Sequence, residues 1–132
     1  MKIMFVSAAN STHTVRWVNA LAERGHEVYL VSNRGHEPKE DALNSRVKLY
    51  LMKHSGGKGY YLNAGELRKI AKRINPDVIN VHYASGYGTL ARKARLPKYI
   101  LSVWGSDVYD FPYESRVKNH ILKRNVRSAS YF

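Results

Sequence analysis

Residues 2–32 read KIMFVSAANSTHTVRWVNALAERGHEVYLVS, and the order of patterns within them decides the fold. Lys2 to Ser7 opens with the apolar run Ile3-Met4-Phe5-Val6, which reads as a buried strand. Ala8 to His13 is a polar turn. From Thr14 onward the apolar residues fall at Val15, Val18, Leu21 and Ala22, the spacing of one helix face, with Arg16, Asn19 and Glu23 on the other. Gly25 is placed to stop that helix, and Glu27 to Ser32 forms a second strand. Strand, helix and strand in this order make a crossover unit, which implies parallel strands.

The same grammar continues outward. Asn33 to Ser45 is a polar loop, and Val47 to Leu51 is a short third strand. Residues 54–61, with Gly56, Gly57 and Gly59, read as a flexible loop. A basic amphipathic helix follows, with Leu67, Ile70, Ala71 and Ile74 inward and Arg68, Lys69, Lys72 and Arg73 outward. Asn75-Pro76-Asp77 breaks it before the strand Val78 to His82. Tyr83 to Gly88 reads as a turn, Thr89 to Arg95 as a short helix and Tyr99 to Val103 as a strand. A last basic helix is expected from about Tyr113 to Arg127, and Ser128 to Phe132 looks like the start of another strand. No boundary or repeat interrupts the chain. The expectation is one domain, residues 1–132, with a Rossmann-like three-layer α/β/α sandwich around a mostly parallel sheet.

Composition agrees with a folded domain and leaves the partner open. A hydrophobic fraction of 44% is too high for a disordered chain. No apolar run is long enough to cross a bilayer, and Met1-Lys2 leads into a strand without the pattern of a signal peptide. The absence of cysteine excludes disulfides and thiolate zinc sites and fits a cytoplasmic location. The net charge of +12 favours anionic partners: nucleic acid, a phosphorylated molecule or an anionic membrane surface.

In an open parallel sheet, ligands collect outside the carboxyl ends of the strands, and three turns are candidates. The first, around Asn10, Ser11, His13, Thr14 and Arg16, opens a helix whose free N–H groups favour an anion. Helix capping by Ser11, Thr12 or Thr14 is the alternative. The second holds Tyr83, Ser85, Gly86, Tyr87 and Gly88 after His82. Its glycines let a ligand approach, its tyrosines stack on or hydrogen-bond a sugar, and His82 is a candidate for proton transfer. A tight turn beside a buried histidine is the alternative. The third is Trp104-Gly105-Ser106-Asp107, where Asp107 is the candidate hydrogen-bond acceptor or general base, or else the cap of a short turn. Neither a GxGxxG nor a GxxxxGK[ST] loop is present. The six histidines lack ligand spacing, so no metal is expected, and Ser85 lacks the GxSxG setting of a nucleophile.

Ser7 to Ala20 (SAANSTHTVRWVNA), the following Leu21 to Val28, the segment Pro76 to Gly88 and the segment Val103 to Val108 resemble bacterial glycosyltransferases of family 4, in the same order along the chain. That resemblance implies one half of a two-domain GT-B fold: the amino-terminal, acceptor-side domain bordering the interdomain cleft. The nucleotide-sugar donor is then held mainly by a carboxyl-terminal domain with an EX7E motif, which this chain does not contain. The implied activity is retaining sugar transfer to a glycan or lipid-linked acceptor in cell-surface polysaccharide or glycoconjugate synthesis, with this domain inactive alone and binding no cofactor by itself. Two positions depart from the pattern. Asn10-Ser11 replaces a common Gly-Gly pair, and Asp107 stands where many relatives carry histidine. Asp107→Asn is expected to lower turnover and leave the fold intact.

The resemblance also gives the charge a reading. Arg68, Lys69, Lys72 and Arg73, with Arg116, Lys118, Lys123, Arg124 and Arg127, would meet anionic headgroups or an acceptor pyrophosphate at the inner face of the membrane, or form a solvated basic face. Two alternatives remain. One is a stand-alone basic module for nucleic acid or anionic lipid, with no RNA-binding signature to support nucleic acid. The other is a GT-B nucleotide-sugar epimerase domain.

Overall fold

A computed structural model describes the whole chain, residues 1–132. It begins with the strand, helix and strand that the sequence implies, β1 (Lys2–Val6), α1 (Thr12–Glu23) and β2 (Glu27–Arg34), though α1 starts before Thr14 and β2 runs past Ser32 into the expected loop. The α1 helix ends in a Schellman motif: the His26 N–H reaches Leu21 O at 3.2 Å and the Gly25 N–H reaches Ala22 O at 3.1 Å. The order continues with β3 (Lys48–Ser55), α2 (Gly56–Leu62), α3 (Ala64–Ile74), β4 (Val78–His82), α4 (Gly86–Ala94) and β5 (Ile100–Ser102). Three helical segments follow, α5 (Ser106–Tyr109), α6 (Phe111–Glu114) and α7 (Arg116–Ser128).

The five strands form one sheet in the order β3-β2-β1-β4-β5, and every pairing is parallel. Ile3 pairs with Val28 on one side and Val78 on the other, so β1 is the central strand. Its side chains alternate between two cores. Ile3 and Phe5 pack with Val18 and Ala22 of α1, while Met4 and Val6 pack with Leu67 and Ile70 of α3, Leu90 and Ala91 of α4 and Leu122 of α7. A strand buried on both faces needs a continuous apolar run rather than an alternating one, which explains the opening sequence. No helix is long and apolar enough to cross a membrane.

Several boundaries differ from expectation, each for a local reason. Residues 54–61 are not a loop: β3 runs to Ser55 and α2 occupies all of the remainder. Tertiary contacts override the weak helix propensity of the glycines. Asn63 brackets the β3 end, accepting from the His54 N–H at 2.9 Å and donating to the His54 carbonyl at 2.8 Å. The α4 helix starts at Gly86 instead of Thr89, and β5 is shorter than Tyr99 to Val103. The last helix is broken at Ser115, whose hydroxyl caps α7 by accepting from the Lys118 N–H at 3.0 Å. Beyond α7 the chain makes a single parallel bridge, Tyr131 to Ile100.

Candidate functional site

In the order β3-β2-β1-β4-β5 the chain direction of travel across the sheet reverses between β1 and β4. The loops leaving the carboxyl ends of these strands therefore open a crevice. There the structure forms a pocket of about 250 Å³ lined by Ala8, His36, Tyr60, Tyr83, Tyr87 and Trp104. Ala8 follows β1, His36 follows β2, Tyr83 follows β4 and Trp104 follows β5, so the strand ends converge on one space.

Tyr83 and Trp104 form the outer wall. Tyr83 adopts φ 76°, a left-handed conformation unfavourable for an aromatic residue. It is held there because its N–H donates to Ser102 O at 2.9 Å and its carbonyl accepts from the Gly88 N–H at 3.0 Å. Its hydroxyl bonds Ser106 Oγ at 2.9 Å. Trp104 meets the Tyr83 ring edge-on at 5.4 Å and the His13 ring at 5.5 Å. The indole N–H donates to His82 Nδ1 at 3.3 Å.

His82 itself is buried beneath the wall, edge-on to Phe5 at 5.4 Å. Burial, with the nearby His13, pushes its pKa down to about 4. It is thus neutral at physiological pH, with Nδ1 committed to Trp104. Through Nδ1, His82 supports the indole ring.

Asp107 is fully buried, and its carboxylate serves the loop. One oxygen accepts from the Ala84 N–H at 2.6 Å, and the other accepts from the N–H groups of Trp104 at 3.0 Å and Gly105 at 2.9 Å. Asp107 therefore ties the β4 loop to the β5 loop, and no face of it reaches the pocket. Gly105 has φ 129°, a conformation that side chains rarely adopt, so glycine is required for this wrap around the carboxylate.

The glycines of the second turn also have packing roles. A Cβ at Gly86 would lie 2.7 Å from the Tyr60 ring, so the space beside Gly86 is filled by protein rather than kept for a ligand. Gly88 faces Asn125 and Leu101. Ser85 is buried, and its carbonyl accepts from Thr89 Oγ1 at 2.6 Å. Tyr87 is buried in the core but reaches the inner pocket wall, where its hydroxyl accepts from the Asn33 N–H at 3.0 Å.

The first turn divides. Ser11 occupies the N-cap position of α1 without capping it through its side chain, and Thr14 is buried against Ser7 Oγ at 2.6 Å. His13 faces Trp104, whereas Asn10 and Arg16 border a separate hollow with Thr12 and Lys39. The structure thus brings together His13, Tyr83, Tyr87, Trp104 and Ser106; Arg16 joins this group only through a second hollow shared with His13, and Asn10 stays outside it.

Residues absent from the sequence reading complete the site: Tyr60, His36 and the buried pair Asn33 and Asn63. Asn63 Nδ2 donates to Asn33 Oδ1 at 2.9 Å, joining α2 to the end of β2. Burial pushes the Tyr60 and Tyr87 hydroxyl pKa values up and the His36 pKa down, so all three are uncharged near neutrality. No group of three or more His, Cys, Asp or Glu side chains is placed to hold a metal ion. The pocket is an uncharged aromatic enclosure with hydroxyl and imidazole groups at its margins. Such a lining binds and orients a ring with polar edges.

A family model described as glycosyl transferase 4-like matches residues 2–132, nearly the entire chain. No curated protein matches it.

Proposed function

The chain belongs to the glycosyl transferase 4-like family, and on that premise we propose that this domain holds the sugar acceptor while a second domain presents the donor. The observation that carries the reading is the pocket at the carboxyl edge of the sheet, lined by Tyr60, Tyr83, Tyr87 and Trp104. Its volume of about 250 Å³ suits one sugar residue, and aromatic faces complement the apolar faces of a pyranose. The acceptor is a glycan or lipid-linked saccharide whose terminal sugar enters the pocket. The nucleotide-sugar lies across the cleft, near the uncapped amino end of α1, where free N–H groups favour its diphosphate.

This domain positions its substrate and offers no carboxylate to it as a general base. The pocket lining contains no carboxylate, Asp107 is occupied by the loop and His82 by Trp104. Transfer with retention then depends on the geometry of donor and acceptor brought together across the cleft. The domain alone does not transfer sugar.

The acceptor reading is tested by fluorescence, because the chain has two tryptophans and only Trp104 lines the pocket. In a Trp17→Phe background, glycosides should change Trp104 emission saturably, and Tyr83→Ala should weaken the response. Emission that stays flat across neutral glycosides would reject the pocket as an acceptor site.

A further inference from the structure

His36 lies outside every recognised motif, yet the hydrogen bonds around it fix both its position and its protonation. The turn that carries it is held by its own backbone. The His36 N–H donates to Asn33 O at 3.1 Å, and the Gly35 N–H donates to the Glu37 carboxylate at 2.9 and 3.0 Å. The ring then meets Tyr87, with Nδ1 2.5 Å from the phenolic oxygen.

The direction of that bond follows from a count of donors. The Tyr87 oxygen already accepts from the Asn33 N–H, and the residue is only 2% exposed, so its own hydrogen needs a protein acceptor. Ser32 also lies near this hydroxyl, but its own hydrogen goes to Ser7 O, and the close contact, 2.5 Å, is to His36 Nδ1. Tyr87 therefore donates and Nδ1 accepts, which places the imidazole hydrogen on Nε2. A proton on Nδ1 would set two donors against each other, and burial opposes the charged ring as well. Nε2 makes no hydrogen bond to the protein, and the ring lines the pocket.

Resting on the acceptor reading above, we propose that His36 is the specificity-determining donor of the pocket: Tyr87 locks its neutral Nε2–H tautomer, and this N–H recognises a hydroxyl or carbonyl oxygen of an uncharged pyranose. Nothing in the lining complements an anion. Its residues are Ala8, His36, Tyr60, Tyr83, Tyr87 and Trp104, without lysine or arginine. A carboxylate or phosphate on the entering sugar would lose its hydration with no cation to replace it. The strongly basic character of the chain thus stops at the pocket, and the sugar that enters is a neutral one. Tyr87 acts as a positioning residue, and His36 as the ligand contact.

Long-range proton–nitrogen NMR of the imidazoles in the 132-residue chain tests the lock directly. His36 should show the Nε2–H tautomer, and Tyr87→Phe should release it to a mixture. Titration with methyl glucoside, N-acetylglucosamine, methyl glucuronide and inorganic phosphate then tests recognition. The two neutral sugars should shift Tyr83, Trp104 and His36 resonances, and the two anions should not. His36→Phe keeps an aromatic wall without the donor and should weaken neutral-sugar binding about three- to tenfold. His36→Gln, whose amide places an N–H close to Nε2, should bind within about twofold of the original. A His36 hydrogen found on Nδ1, or sugar binding indifferent to His36→Phe, would overturn this inference while leaving the acceptor pocket in place. Preference for the anions would overturn it too. If no glycoside shifts the pocket aromatics, the acceptor reading falls and takes this one with it.

Discussion

At the scale of single residues, the acidic side chain that looked most like a catalyst is a structural clamp. Asp107 accepts three backbone N–H groups from two loops and is fully buried. Asp107→Asn replaces one of its acceptor oxygens with an N–H2 group that opposes a backbone donor. The variant should lose about 3 kcal/mol of stability, since a charge-assisted bond is lost and a buried donor is left unmet. Urea denaturation measures this, and an unchanged midpoint would return Asp107 to the list of functional candidates. His82 yields a prediction of a different kind. Its pKa is about 4 when folded, against 6.5 as the ordinary value, so the unfolded chain binds more protons between those limits. Stability from this group is complete above the ordinary value and is lost as pH falls toward the folded value. Between pH 7 and pH 5 the loss should be about 2 kcal/mol, most of which His82→Gln should remove. His36, shifted the same way, leaves a smaller residual slope of the same sign.

At the scale of elements, α7 grips the turn into α4, the helix that carries Tyr87 to the pocket wall. Asn125 is fully buried, and its amide donates to Ala84 O at 2.9 Å, Ser85 O at 3.3 Å and Thr89 Oγ1 at 2.8 Å. Its oxygen accepts from Arg92 Nε at 2.8 Å. Asn125→Leu keeps the volume but abandons these partners, so it should destabilise the domain by about 3 kcal/mol. Hydrogen exchange at the first turn of α4 should accelerate before the rest of the sheet. Uniform acceleration across the domain would instead show that α7 has no special hold on that turn. The helices and strands themselves were largely legible, because burial on both faces of β1 and on one face of α1 and α3 writes its period into the residues. The ends of elements were not. Whether Gly56 to Gly59 loops or coils depends on Asn63 bracketing the β3 end, a contact between residues that no local pattern links. The site was half legible for the same reason. Tyr83 and Trp104 sit at strand ends that topology brings together, but His36 and Tyr60 come from segments that look like ordinary loops. A polar Asn125 three residues after Leu122, on the inward face of α7, was the one available signal of a buried clamp.

At the scale of the whole molecule, charge and pocket separate. Helices α3, α4 and α7 share one layer, since Leu67, Leu90 and Leu122 enter the same core. The basic residues of α3 and α7 therefore emerge on a common face, and the only ion pair is Lys118 with Glu114. Arg68, Lys72 and Arg95 line a hollow of about 220 Å³ together with Asn75, Pro76 and Pro97. Those residues precede β4 and β5, whereas the aromatic pocket lies beyond the strands' carboxyl ends, so the two occupy opposite rims of the sheet. We propose that this basic rim, remote from the pocket, meets lipid headgroups. We expect the chain to bind phosphatidylglycerol vesicles and release them as salt screens the attraction. Each basic residue near such a surface contributes about 1 kcal/mol, so Arg68→Gln, Lys72→Gln and Arg95→Gln together should weaken vesicle binding about a hundredfold. Glycoside titration of Trp104 should be untouched by the same three changes. Vesicle flotation and fluorescence on one triple variant thus separate the two rims. Equal flotation with uncharged phosphatidylcholine would reject the electrostatic reading, and a coupled loss of sugar binding would show that charge and pocket belong to a single site.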